Sequence, residues 1–379
     1  VGSNQPKRKT TFATICSLLP IVATIILTGL SWRILPPLRT AWVVDGIITI
    51  LCSFSDWIML ARLPKLGLSF GPVRPPLFML NLIRLTAYLA AFSEMAISGA
   101  AWQRITILVG VGLFQLFFLA ATFNGLYIEP FHLTVSELEI KNAPIFFQDR
   151  PLRILQVSDL HIEHISPRER AVMEKVNSLA ADMIVLTGDY INKSYLKDIE
   201  TLREARGLLS QLRAPFGVYA INGNMDRPPI MNQLFNGLDN VRVLDDEINP
   251  IAFPESTLYL IGMTTTGRRQ DFSIIKSLMA NVPEDAYSLL LSHYPKGVEL
   301  ASEAGVDVYL AGDTHGGQAR LPWIGTITTT RLGNSYIMGE YQVGPTTLFV
   351  SRGLGMQGGI WPRIRFNCPP EIVLVRLGK

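Results

Sequence analysis

The first third of the chain is dominated by long runs with few or no polar positions. Residues 10–32 carry no charge over 23 positions, and residues 105–128 carry none over 24. A helix needs about 20 apolar residues to cross a bilayer, so both runs are long enough. Two further apolar stretches, 41–61 and 77–100, contain Asp45 and Asp56 and then Arg84 and Glu94. The pattern predicts four transmembrane helices. A cleaved signal peptide is the competing reading of the first, because Lys7, Arg8 and Lys9 resemble a signal n-region. Its apolar run is too long for that, and more apolar segments follow. Asp45 and Glu94 read as helix-end residues, and Arg84 as pairing with an acid inside the bundle. Cys16 and Cys52 read as small packing residues.

Beyond about residue 131 the period changes. FHLTVSELEI (131–140) alternates as a strand does. RILQVS (153–158), MIVLTG (183–188), GVYAIN (217–222), YSLLLS (287–292) and VDVYLA (306–311) are short apolar runs that predict buried strands. Helical patterns separate them. Ser166, Pro167 and Glu169 form a capping-box start, and helices are predicted over 196–212, 271–281 and 295–304. Strands alternating with helices point to a layered α/β fold. The Gly- and Pro-rich stretch 321–379 is expected to complete a second sheet. The organisation expected is therefore a membrane region over 1–130 and a globular domain over 131–379.

Composition agrees with that division. Charged residues are 17% of the 379, against about 25% in an average soluble domain. Residues 1–140 hold only ten Lys or Arg and six Asp or Glu. A net charge of +3 provides no basic field for nucleic acid, so no nucleic-acid partner is expected. Three cysteines exclude a disulfide scaffold. The basic residues Lys7, Arg8, Lys9, Arg62, Lys65 and Arg74 fall on one side of the predicted helices; Arg33, Arg39 and Arg104 fall on the other. The positive-inside rule then places the N-terminus in the cytoplasm. Four crossings return the C-terminal domain to the same side, as a multi-pass protein of the cell (inner) membrane.

The candidate chemistry lies just past the predicted strands. RILQVS leads to Asp159 and His161, and MIVLTG to Asp189. GVYAIN leads to Asn224 and Asp226, YSLLLS to His293, and VDVYLA to Asp313 and His315. Turn-forming Asp and Asn explain one or two such positions. They do not explain five, three of which bring one of the chain's five His. Asp and His supply oxygen and nitrogen ligands for first-row divalent metals. A single carboxylate such as Asp189 can bridge two metals roughly 3.5–4 Å apart, which clamp a phosphoryl group and activate water.

DLH (159–161), GD (188–189), GNMD (223–226), His293 and GDTH (312–315) resemble, in order and spacing, the motifs of the calcineurin-like metallophosphoesterase superfamily. SDLH, THGGQARLP (314–322), SRGLG (351–355) and CPPEI (368–372) are similar to its membrane-attached bacterial YkuE/YaeI-like branch. The resemblance implies a two-sheet β-sandwich flanked by helices, and two divalent ions from among Mn, Fe, Zn and Mg. It implies that Asp159, His161 and His315 hold the first metal, that Asn224 and His293 hold the second, and that Asp189 bridges. Asp189, Asn224 and Asp159 are the implied catalytic residues. The implied activity is hydrolysis of a phosphodiester or pyrophosphate bond by a metal-activated hydroxide. The membrane helices point to membrane association and to a lipid-linked phosphoester substrate.

Two positions depart from the superfamily pattern. Asp313 stands where the second metal's remaining His is usual; carboxylate is a harder ligand, which favours Mn. Met225 replaces the His that meets phosphate or protonates the leaving group, and thioether can do neither. The superfamily's UDP-diacylglucosamine pyrophosphatases of lipid A synthesis also lack that His, and they are the alternative within enzymes. A catalytically silent binding protein is the alternative outside them. Arg227, Arg268 and His164 are candidate substrate contacts, with Arg269 and Arg352 further candidates for phosphate. Asp226 reads equally as an orienting residue and as a helix cap.

Overall fold

The structure is a computed structural model that describes residues 18–30, 39–97, 100–141, 143–147, 150–254, 256–265, 271–326 and 335–378. It contains two compact units. One holds the chain up to Ile128 together with Gly358–Ile364, and the other holds Glu129–Gln357 and Arg365 onward.

The first unit is helical. Helices α2 (Arg39–Arg62), α3 (Arg74–Ile97) and α4 (Ala101–Phe123) follow a shorter apolar helix, α1 (Leu18–Leu30). Three helices among the described residues are long and apolar enough to cross a membrane. The flanks of α1, Cys16 and the basic cluster Lys7–Lys9 lie outside the described residues, and so does Arg33. α2 and α4 turn large apolar side chains outward, including Ile47, Leu51, Phe54, Val109, Leu113 and Phe117. Inside, Arg84 and Asp56 are fully buried and form a two-point ion pair at 2.7 and 3.0 Å. Arg84 Nη1 also donates to the Gln115 backbone and side-chain oxygens, both at 3.0 Å. Arg84 therefore pairs with an acid within the bundle, as its sequence context indicated. Asp45 does not mark a helix end. It lies two turns into α2, buried, and a Cβ on Gly112 would come within 3.0 Å of its carboxylate.

The second unit is a sandwich of two mixed sheets. Its first sheet contains β1 (Thr134–Ile140), β2 (Phe146–Phe147), β3 (Arg150–Val157), β4 (Met183–Leu186), β5 (Val218–Ala220), β6 (Val241–Val243) and β15 (Glu371–Leu377), ordered β1-β15-β3-β4-β5-β6 with β2 on β3. The second is ordered β13-β14-β10-β9-β8-β7. Its strands are β7 (Glu247–Ala252), β8 (Thr257–Gly262), β9 (Tyr287–Leu291), β10 (Val308–Ala311), β13 (Gly339–Val343) and β14 (Thr346–Val350). A short hairpin pairs β11 (Arg320–Leu321) with β12 (Gly325–Thr326).

Strand alternation builds three layers of core. Ile154, Met183 and Val185 of the first sheet meet Leu260, Leu289 and Leu310 of the second between the sheets. The opposite faces of the same strands, such as Leu155, Ile184 and Leu186, pack under α5 (Pro167–Ser178), α6 (Ile199–Leu209) and α7 (Pro228–Phe235). Leu290 and Tyr309 pack under α8 (Ile274–Met279) and α9 (Val298–Glu303). Burial on both faces is why these strands read as unbroken apolar runs. The Ser166 cap forms with its reciprocal Glu169 bond and Pro167 in the first turn. The predicted 196–212 helix starts later, at Ile199, because the Asp198 side chain caps it at the Thr201 amide. The 321–379 stretch divides between sheets: β13 and β14 extend the second, whereas β15 inserts between β1 and β3 of the first.

Candidate metal centre

β3, β4 and β5 run parallel in one sheet, and β9 and β10 run parallel in the other. Their carboxyl ends deliver the predicted residues, where ligands gather in α/β sheets. His161 Nε2 lies 3.0 Å from His315 Nε2, and His315 Nε2 lies 3.5 Å from Asp159 Oδ1. Asp189 Oδ2 sits between two imidazoles, 3.5 Å from His161 Nε2 and 3.6 Å from His293 Nε2. The ligand atoms of Asp159, His161 and His315 all lie within 4.8 Å of one another, as do those of Asp159, Asp189 and His293. Asp159 is common to both groups, and Asp189 Oδ2 stands between the His161 and His293 imidazoles. Asp313 lies beside them: its Oδ1 is 3.6 Å from His293 Nε2 and accepts the Asn224 Nδ2 hydrogen bond at 2.9 Å.

The donor set fits divalent cations. Asn224 Oδ1 is buried with no hydrogen-bond partner, beside His293 and Asp313. A buried amide oxygen left unpaired costs free energy that a cation can recover. His293 gives its Nδ1 to the Thr187 carbonyl at 2.9 Å, which turns Nε2 toward Asp189. This is the orientation a second partner imposes on a metal-ligating His.

Strain is concentrated at the same residues. Asp159, His161, Asp189, Asp313 and His315 all have φ between 42° and 68°, half of the ten non-glycine residues with positive φ among those described. Each such residue costs on the order of 1–3 kcal/mol, and persists only where surrounding structure holds it. Two glycines make room. Gly188, at φ +92, faces the Gly223 backbone, and a Cβ there would lie 2.5 Å from Gly223 N. Gly353, at φ +65, backs Asp159, and a Cβ there would lie 2.6 Å from the Asp159 Cβ.

The electrostatics are those of a cation site. Burial would raise the Asp189 carboxyl, but the charge and hydrogen bond of His293, the charge of His161 and the Met225 N–H hold it well below the usual range. Burial raises Asp159 to about 7, with His293 opposing and Asp189 reinforcing. Burial likewise raises Asp313 to about 6. Burial lowers His161 to about 4, so its imidazole is neutral and able to ligate. For His293, burial works downward, but Asp189, Asp159 and Asp313 together raise it well above its ordinary value. A metal ion held by Asp159, Asp313 and His293 would have to expel their protons. Apparent metal affinity should rise by roughly tenfold per pH unit for each proton released as pH climbs from about 5.5 to about 7.5. Mn²⁺ binding followed by EPR at several pH values measures this, and a flat affinity would contradict it.

Other predicted residues are placed elsewhere. Asp226 is fully buried and accepts the backbone N–H groups of Asp189 (2.5 Å), Gly223 (2.9 Å) and Tyr190 (3.1 Å). It does not cap α7, whose N-cap is Arg227 with no side-chain bond. Arg227 itself is exposed at the start of that helix. His164 Nδ1 lies 3.2 Å from Glu204 Oε2. Arg352 bonds Glu371 at 2.6 Å and reaches the Thr134 and Ser136 hydroxyls, a structural tie across β1 and β15. Arg268 and Arg269 lie outside the described residues. Sequence reasoning missed Arg365, which is fully buried and donates to the carbonyls of Arg352, Gly353, Gly355 and Cys368. It also missed Gln357, whose Nε2 lies 2.9 Å from His161 Nε2.

Residues 152–317 match the family described as Calcineurin-like phosphoesterase. YkuE of Bacillus subtilis, an uncharacterized metallophosphoesterase, is 30% identical over 270 residues, covering 66% of this chain and 87% of YkuE. The chain belongs to the calcineurin-like metallophosphoesterase family. Two further relatives carry named activities. The UDP-2,3-diacylglucosamine pyrophosphatase LpxG of Chlamydia muridarum is 27% identical over 305 residues, covering 66% of this chain and 91% of LpxG. The phosphodiesterase YaeI of Escherichia coli is 27% identical over 249 residues, covering 63% and 87%. As a metallophosphoesterase, the chain is a hydrolase of phosphoric ester or anhydride bonds, and all seven candidate metal residues, from Asp159 to His315, lie inside the matched segment.

Proposed function

We propose that this metallophosphoesterase cleaves a phosphodiester or pyrophosphate bond of a lipid-linked substrate at a dinuclear, Mn-favouring centre. The convergence of the Asp159 and Asp189 carboxylates with the His161, His293 and His315 imidazoles carries the reading. Asp159, His161 and His315 are assigned to one metal, Asn224, His293 and Asp313 to the other, and Asp189 to both. Two divalent cations held there would polarise phosphoryl oxygens and lower the pKa of a water. The chain's own part is to present those ligands in fixed orientations. Asp189 is kept ionised, and Met225 N–H donates to its Oδ1 at 2.9 Å. Arg227, exposed two residues after Met225, is the proposed cationic contact for substrate; His164 is left out, since its Nδ1 faces Glu204.

Met225 sets the leaving group. Its side chain cannot donate a proton, so departure must rely on a leaving group that is already stable as an anion. A pyrophosphate bond supplies one, which favours a lipid-linked nucleotide of the kind named for LpxG, with 27% identity over 91% of that relative as further support. The apolar helices, and the basic residues flanking them, support a cell-membrane location with the catalytic unit on the cytoplasmic side.

The test is a leaving-group series with the full chain in detergent, from alkyl and aryl diesters to UDP-diacylglucosamine. Wild type should favour the most acidic leaving groups. Met225→His should raise turnover of the poorest ones by about tenfold, a fraction of what a positioned general acid contributes, and leave the best unchanged. A uniform effect across the series would contradict the role given to Met225.

A further inference from the structure

The segment after β14 brings one more polar side chain to the metal centre. The backbone of Gln357 is fixed on both sides. Its N–H donates to Gln318 Oε1 at 2.6 Å, and its carbonyl accepts from Gln318 Nε2 at 2.9 Å. The preceding carbonyl, of Met356, accepts from Asn192 Nδ2 at 3.0 Å. Gln318 lies three residues after His315, and Asn192, itself buried, lies three residues after Asp189. Both clamps therefore come from loops that carry metal-directed residues. Clamping leaves the Gln357 side chain aimed inward, with Nε2 2.9 Å from His161 Nε2 and 3.5 Å from Asp189 Oδ2. The Asp189 carboxylate only accepts, so it selects the amide nitrogen as the inward end.

Those two acceptor atoms are the ones assigned to metal. On metal loading their lone pairs are taken, and the Gln357 N–H donors lose both partners. A phosphoryl group drawn to the same centre offers acceptors only. We propose that Gln357 is a phosphoryl-binding residue of this centre, positioned by Gln318 and Asn192. The inference rests on the two-metal reading above. It also answers what the Met225 position lacks: a neutral N–H donor that grips phosphate without supplying a proton.

The test uses the full chain in detergent, loaded with Mn²⁺, with inorganic phosphate as probe. Metal content is counted by elemental analysis, and phosphate binding is followed by its effect on the Mn²⁺ EPR signal. Gln357→Ala should keep the wild-type metal count and weaken phosphate by about tenfold, the size of one hydrogen bond to a charged group. Gln357→Glu should weaken it further, because a carboxylate repels the anion. Gln318→Ala, which loosens the aim without removing the donor, should give an intermediate loss and raise KM more than it lowers kcat. Wild-type phosphate affinity in Gln357→Ala with metals intact would overturn the proposal. Loss of metal from that variant would also overturn it, making Gln357 part of the ligand shell. A wild-type chain that takes up no metal would overturn the centre itself, and this inference with it.

Discussion

Asp189→Asn should lower phosphoester hydrolysis by on the order of 10²–10³ or more, since it neutralises the group proposed to hold both cations, which would stabilise the developing charge. The carboxylate lies between His161 and His293, and its other oxygen is fixed by the Met225 amide. The substitution is nearly isosteric, so the Met225 bond can persist and the fold should be kept. What changes is charge. Without the anion, His293 loses the main influence raising its pKa, and the two metals lose the ligand assigned to both. Metal content should therefore fall together with activity. Activity within a few-fold of wild type, measured on an aryl diester with Mn²⁺ present, would count against Asp189 as the bridge.

Asp226→Ala should have the largest effect on stability. Its carboxylate is the shared acceptor for three buried backbone amides, those of Asp189, Tyr190 and Gly223. Removing it leaves three donors unpaired, each costing roughly 1–3 kcal/mol, so about 3–5 kcal/mol in total after relaxation. The same amides fix the GD and GN loops against each other, where Gly188 meets Gly223. Metal affinity should fall about 10- to 100-fold as well, as for other residues that orient metal ligands. Thermal melting and metal titration of the variant check both. An unchanged melting temperature with unchanged metal uptake would contradict the role assigned to Asp226.

The clustering of the candidate metal residues was legible because each follows a buried parallel strand within a few positions. Asp159, Asp189 and His293 needed only local spacing and a strand-end rule. The Ser166 cap was legible for the same reason: its partners, Pro167 and Glu169, are neighbours. What escaped depends on distant chain segments. Gln357 reaches His161 across 196 positions, and nothing adjacent to it in sequence marks that contact. Arg365 resembles any solvated arginine until the fold wraps four carbonyls around it. The 321–379 stretch is expected to complete a second sheet, but no local signal says that its last strand, β15, parts β1 from β3 of the first. Arg352 was legible as a cation, while its partner Glu371 was hidden until β15 was placed. For Asp226 the sequence left two roles open, and burial with three amide bonds decides for orientation over capping.

Counting metal in the purified full chain after Mn²⁺ loading tests the central claim most directly. Two ions per chain, falling in Asp189→Asn, is the predicted result. One ion or none in the wild-type chain, under conditions where it is folded, would contradict the dinuclear centre and the mechanism built on it.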